Sequence, residues 1–220
     1  MISLYSGTPG SGKSLHIAQR IYYGLRARRK IVANFDINLD YVRRKRDKRK
    51  LRFYYIPNDE LNPEVLINIS MEHFKKMGRV KEDDILLVID ECQLLFNARE
   101  WNKSGRSEWL SFFSQHRKYG YEVVLVAQFD GMVDKQIRSL IEYEIKHRKV
   151  GNFGLVGKTF SILSFGKLFC AVRIWYPLNE RVGSEFFKAN KKYYRIYDTF
   201  TFFDSPDNKI RGQHNKLLTS

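Results

Sequence analysis

Uninterrupted apolar runs alternate with amphipathic stretches over the first two thirds of the chain. Ile2 to Ser6 predicts a short buried strand, and Lys13 to Arg28, with Leu15, Ala18, Ile21, Tyr22 and Leu25 on one face, predicts a helix. Lys30 to Asp36 predicts a second strand and Phe53 to Ile56 a further short one. Pro63 is placed to open a helix through Lys76, because proline at the first helical position gives up no hydrogen bond that is needed. Asp83 to Asp90 contains Ile85-Leu86-Leu87-Val88-Ile89, the run expected of a central parallel strand covered on both faces. Ser107 to Tyr119 carries Trp109, Leu110, Phe112 and Phe113 at helical spacing and stops at Gly120. Glu122 to Gln128 then reads as a strand and Asp134 to Ile141 as a helix.

Strands alternating with helices imply right-handed crossovers and an α/β fold with a mostly parallel central sheet flanked by helices. From Tyr143 onward the pattern becomes strand-rich, and Phe160 to Phe165 with Leu168 to Tyr176 flank Gly166-Lys167 as an expected hairpin. The boundary is expected near Val150, giving a core over residues 1–150 and a strand-rich appendage over residues 151–220 packed on it. At 220 residues, 43% apolar and 29% charged, the chain is long enough to bury one substantial core and is not of the disordered composition class. Cys92 and Cys170 have neither CxxC spacing nor clustered His partners and read as reduced thiols. No secretory signal precedes Ile2, and Ile85 to Phe96, broken by Asp90, Glu91 and Gln93, is too short to span a bilayer. The expected location is cytoplasmic.

Gly7-Thr8-Pro9-Gly10-Ser11-Gly12-Lys13-Ser14 fits G-x-x-x-x-G-K-[ST], and it stands where a strand ends and a helix opens. Glycines at those places let successive backbone N–H groups turn inward on phosphate oxygens, and the helix N-terminus adds favourable partial charge. These residues, with Leu15 after them, are the expected nucleotide-binding loop of a P-loop NTPase. Lys13 is placed to bridge the β- and γ-phosphates and the Ser14 hydroxyl to ligate Mg²⁺.

Asp90, at the C-terminal end of the apolar strand Ile85 to Ile89, is the expected second metal-holding residue, and Glu91 beside it the base that activates the attacking water. Gln128 ends the next strand and is expected to reach γ-phosphate or that water. An arginine that stabilises transition-state charge comes from a neighbour in many oligomeric ATPases, and Arg138 and then Arg117 are the candidates. The chemistry so composed is that of a Mg-dependent ATPase.

With these pieces placed, the chain resembles the Zot domain family, the assembly ATPases of filamentous bacteriophages. The resemblance rests on GTPGSGKS, LLVIDECQ, Arg99-Glu100-Trp101, FFSQHRKYGYEVVLVAQ, DKQIRSLIEYEIKHR and the late KKYYRIYDT. It implies an ATP-driven motor that exports single-stranded phage DNA at the inner membrane, working as a homo-oligomeric ring at the cytoplasmic face. It also implies membrane-embedded assembly or coat proteins as partners. Many relatives continue into a transmembrane segment that is not in this sequence, so docking is expected to come from a partner, from a basic surface, or from residues outside this sequence. A viral DNA-packaging ATPase and a nucleotide-gated membrane adaptor with little turnover are the alternatives. His116 belongs to the same resemblance and reads equally well as a structural histidine at a helix end.

Charge adds one feature. Lys and Arg number 39 against 24 Asp and Glu, a formal +15, and eight of the ten residues from Arg43 to Arg52 are basic, with Phe53-Tyr54-Tyr55 directly after. Single-stranded DNA, anionic lipid headgroups or solvent alone would each suit such a segment. If it binds DNA, neutralising Arg43, Arg44, Lys45 and Arg46 weakens binding alike for all sequences, and the salt slope shrinks by about 0.7 for every phosphate that no longer meets a cationic side chain. Affinity and slope unchanged in a salt titration would assign the segment to lipid or solvent.

Overall fold

A computed structural model describes residues 1–43, 50–75, 77–97, 105–152 and 167–197. Eight strands form one sheet in the order β3-β2-β4-β5-β1-β6-β7-β8. They are β1 (Ile2–Ser6), β2 (Lys30–Ala33), β3 (Phe53–Tyr55), β4 (Ile85–Ile89), β5 (Tyr121–Val126), β6 (Tyr143–Lys149), β7 (Leu168–Trp175) and β8 (Glu180–Lys188). The first six are mutually parallel, and β7 and β8 are added antiparallel at the β6 edge. The sheet therefore continues without a break past residue 150. Expected residues 160–165 lie outside the described residues, and Leu168–Trp175 pairs instead with β6 and β8.

Alternation along the strands decides which side each residue covers. In β4, Ile85, Leu87 and Ile89 face one core with Leu66 and Phe74 of α2 (Pro63–Lys75) and Trp109, Phe112 and Phe113 of α3 (Arg106–Gln115). Leu86 and Val88 face the other, with Leu15, Ala18, Ile21 and Leu25 of α1 (Lys13–Arg26). Each such side chain taken out of water contributes about 1.5–3 kcal/mol, which is why β4 and β5 tolerate a period of one in hydrophobicity.

Two expected helices end early for identifiable reasons. The one from residue 107 stops at Gln115 because the buried His116 caps it, its Nδ1 donating to the Phe113 carbonyl at 2.6 Å. The turn after it needs Gly120, at φ 69°, where a Cβ would meet the Phe74 ring at 2.6 Å. The helix expected over residues 134–141 is a single turn, α4 (Lys135–Arg138), capped by the Asp134 carboxylate, which accepts from the amides of Gln136 and Ile137. The last described helix, α5 (Lys191–Tyr194), lies along α1. Among the described residues no helix is long and apolar enough to cross a membrane. Of the basic segment, residues 44–49 lie outside the described residues; Phe53-Tyr54-Tyr55 form the edge strand β3, with the Lys30 ammonium 4.7 Å from the Tyr54 ring centre.

Candidate functional site

Parallel pairing carries three loops to one edge. Tyr5 of β1 lies level with Val126 of β5, and Leu125 of β5 lies level with Ile89 of β4, so Gly7, Gln128 and Asp90 leave the sheet at the same end. The Gly7 amide donates to the Gln128 carbonyl at 3.1 Å, tying the first two together. The glycines meet real constraints here. Gly7, at φ 141°, would put a Cβ 2.6 Å from the His147 carbonyl oxygen, and Gly12, at φ 99°, would put one 2.7 Å from the Phe169 ring. Gly12 also opens α1 without a side-chain cap, which leaves the first amides of the helix to the cleft. Ser11 Oγ is buried without a partner among the described residues, a second polar group suited to a phosphate oxygen.

A chain of rings supports the loop from beneath. His147 Nδ1 donates to the Ser6 carbonyl at 3.2 Å, so its Nε2 is left to accept from His16 Nδ1 at 2.8 Å, and His16 Nε2 stands 2.8 Å from a Glu185 carboxylate oxygen. Burial, then the neighbouring His16, pushes the His147 imidazole down to about 3, so it is neutral at ordinary pH. Lys13 Nζ donates to the carbonyls of Gly7 and Thr8, and burial pulls its ammonium below the usual range against the opposing pull of Asp90 and Glu91.

Asp90 is fixed by a residue the sequence analysis did not single out. Asn34, just past β2, accepts from the Asp90 amide at 2.7 Å and donates to its carbonyl at 2.8 Å, so a side chain continues the β2–β4 ladder beyond the strands. The carboxylate accepts from the Glu91 amide at 2.9 Å and from the Tyr197 hydroxyl, and Tyr197 lines the same cleft as Ser14. Tyr197 thus ties the Asp90 carboxylate to the cleft that Ser14 lines, and a hydroxyl and a carboxylate are oxygen donors of the kind that a hard cation such as Mg²⁺ takes. Glu91 follows in the left-handed region at φ 47°, an uncommon backbone for glutamate, with its carboxylate accepting from Gln93 Nε2.

Lys13, Ser14, Glu91, Gln128 and Tyr197 line one cleft of about 390 Å³, together with Pro9, Gly10 and Leu15. The two arginines stand elsewhere. Arg117 pairs with Glu142 at 3.0 Å, near the Met1 amino group and thus at the opposite end of the sheet from the loop. Arg138 stands 3.9 Å from Asp130 and contacts Tyr176. Neither lines the cleft of its own chain, so a role for either is limited to a neighbour's site. His116 is likewise distant, its Nε2 accepting from the Met1 amino group at 3.0 Å. Tyr197 had no spacing signal tying it to residue 90; only the resemblance of KKYYRIYDT drew attention to that stretch.

Burial raises the Asp90 carboxyl above the usual carboxylate range, with the Tyr197 hydrogen bond opposing it. An acid so shifted costs stability when ionised; the cost is absent below the unfolded value of about 3.9 and grows as pH rises through the folded one. Asp90→Asn is therefore expected to raise the Tm of the ligand-free protein by about 2–4 °C at pH 7, a gain of roughly 1 kcal/mol. The gain should vanish near pH 3; thermal unfolding at both pH values checks it.

The chain matches the Zonular occludens toxin (Zot) family across residues 1–201. Gene 1 protein of Enterobacteria phage M13 is 30% identical over 172 residues, covering 74% of this chain and 47% of that protein. Gene 1 protein of Salmonella phage IKe is 26% identical, covering 76% and 46%. The chain thus spans about half the length of the curated relatives it matches. Among solved structures, the N-terminal domain of zonular occludens toxin from Neisseria meningitidis superposes with a TM-score of 0.52 at 16% identity, over 89% of this chain and 97% of that one. The genome packaging NTPase B204 of Sulfolobus turreted icosahedral virus 2, in complex with ATP-gammaS, gives 0.51 at 17%, over 86% and 97%. At those identities the likeness is one of fold, and the fold is that of a P-loop NTPase with a mostly parallel sheet. Its matched span, together with the strand-borne loop and the Asp90-Glu91 pair, makes this chain a member of the Zot family.

Proposed function

We propose that this chain is the ATP-hydrolysing motor of filamentous phage assembly, driving single-stranded DNA outward at the inner membrane. The observation that carries the reading is the meeting of Lys13, Ser14, Glu91 and Gln128 from three separate segments in one cleft, with Asp90 behind it. The amides of residues 10–14 and the Lys13 ammonium would hold the β- and γ-phosphates, and Ser14 and Asp90 would hold Mg²⁺. When bound, that ion neutralises charge on the phosphate oxygens. Glu91 would take a proton from the water that attacks the γ-phosphorus, releasing ADP and inorganic phosphate, while Gln128 orients the water or the γ-phosphate. Charge on the transferring group would be met by an arginine from a neighbouring subunit, with Arg138 first and Arg117 second. An arginine acting in trans requires an oligomer, and the proposed form is a homo-oligomeric ring docked at the membrane through assembly or coat proteins or through its basic surface. The sequence matches to Gene 1 proteins of filamentous phages support assembly over packaging, since the B204 likeness is of fold.

Lys13→Ala is expected to abolish ATP binding, whereas Glu91→Gln keeps binding and loses about 10² or more in turnover, the usual scale for a general base. Phosphate release and equilibrium binding measured on both variants test this. Normal turnover in Glu91→Gln would place the base elsewhere, and unchanged affinity in Lys13→Ala would overturn the site.

A further inference from the structure

The cleft extends past the phosphate loop. Besides Ser14 its lining includes Leu15, Phe169 of β7, and Tyr193 and Tyr194 of α5. Phe169 is anchored by stacking on Phe187, ring centres 5.6 Å apart and planes within 20°, and its edge presses on Gly12. Tyr193 is buried against Tyr22 and Tyr23 of α1, ring centres 5.6 and 6.3 Å away. Tyr22 stands nine residues after Lys13, about 13 Å along the helix axis, whereas Tyr197 reaches Asp90 and lines the cleft together with Ser14 at the helix start. The segment 193–197 thus runs beside α1 toward the loop, and Tyr194 falls between the metal end and the far end. Tyr194 is 50% exposed, a large aromatic surface held open to the cleft by a neighbour that is fixed.

A nucleotide whose γ-phosphate lies at Lys13 and Glu91 must send its nucleoside the other way, over Leu15. We infer that Phe169, Tyr193 and Tyr194 form the nucleobase subsite, with Tyr194 as its stacking face. The inference rests on the nucleotide reading of the same cleft and adds where the base binds. It assigns a role to residues after 150: β7 and α5 complete the site that β1, β4 and β5 begin. Aromatic faces stack on every base, so this wall contributes affinity rather than a choice of base.

The experiment compares ATP with inorganic tripolyphosphate, which has the phosphates and no base, by calorimetric titration of the whole chain and of Tyr194→Ala and Tyr194→Phe. Loss of a stacked base costs about fivefold or more in affinity. Tyr194→Ala should therefore weaken ATP binding by that factor while tripolyphosphate binds as before, and Tyr194→Phe should match the unaltered chain for both. Unbound tripolyphosphate and ATP in the unaltered chain would overturn the nucleotide reading and this subsite with it. If the unaltered chain binds both ligands and Tyr194→Ala leaves ATP affinity unchanged, or weakens both ligands equally, the subsite alone is overturned.

Discussion

The parallel pairing of β5 between β1 and β4 is the constraint on which the rest depends. Tyr5 level with Val126, and Leu125 level with Ile89, leave no freedom in where Gly7, Gln128 and Asp90 emerge. A slip of one residue would turn Leu4, Leu87 and Val124 to the wrong layer, and two separate apolar cores oppose that slip. Precision at the site is thus inherited from hydrophobic burial in the middle of the sheet. The same edge is where α1 presents its uncapped amides, so anion-binding backbone and acidic side chains face each other across one cleft.

Within that frame the site holds groups that the fold alone would not choose. Asp90 is buried enough to raise its carboxyl, Lys13 is buried enough to lower its ammonium, and Glu91 occupies a left-handed backbone. Each is unfavourable in the ligand-free chain, and under the proposed function each would be relieved or used on binding phosphate and a cation. Asn34 and Tyr197 keep Asp90 in place meanwhile, the first through its peptide and the second through its carboxylate. His147, held neutral, supports the loop without adding positive charge beneath it.

The fold was legible because β1, β4 and β5 are nearly pure apolar runs and the phosphate loop has a fixed spacing. Asp90, Glu91 and Gln128 were legible for the same reason, as the residues that end those runs. What escaped was long-range. Nothing in the spacing joins Asn34 or Tyr197 to residue 90, because those contacts depend on β2 lying beside β4 and on the chain returning along α1. β8 was not visible, since an outer strand that exposes Glu180, Arg181 and Glu185 and buries only Phe187 shows no apolar run to mark it. The early end of α3 followed from a buried His116 whose partner, the Met1 amino group, is over a hundred residues away.

The Zot family match and the geometry both point to the cleft at the strand ends as the nucleotide site. Hydrogen exchange with and without a non-hydrolysable ATP analogue and Mg²⁺ tests it most directly, because it reads every segment at once. Slowed exchange is expected at residues 10–16, where the loop and first helical amides would close on phosphate, with changes at 90–92 and around 128. Protection confined to other parts of the chain, with the amides of residues 10–16 unchanged at saturating nucleotide, would contradict it.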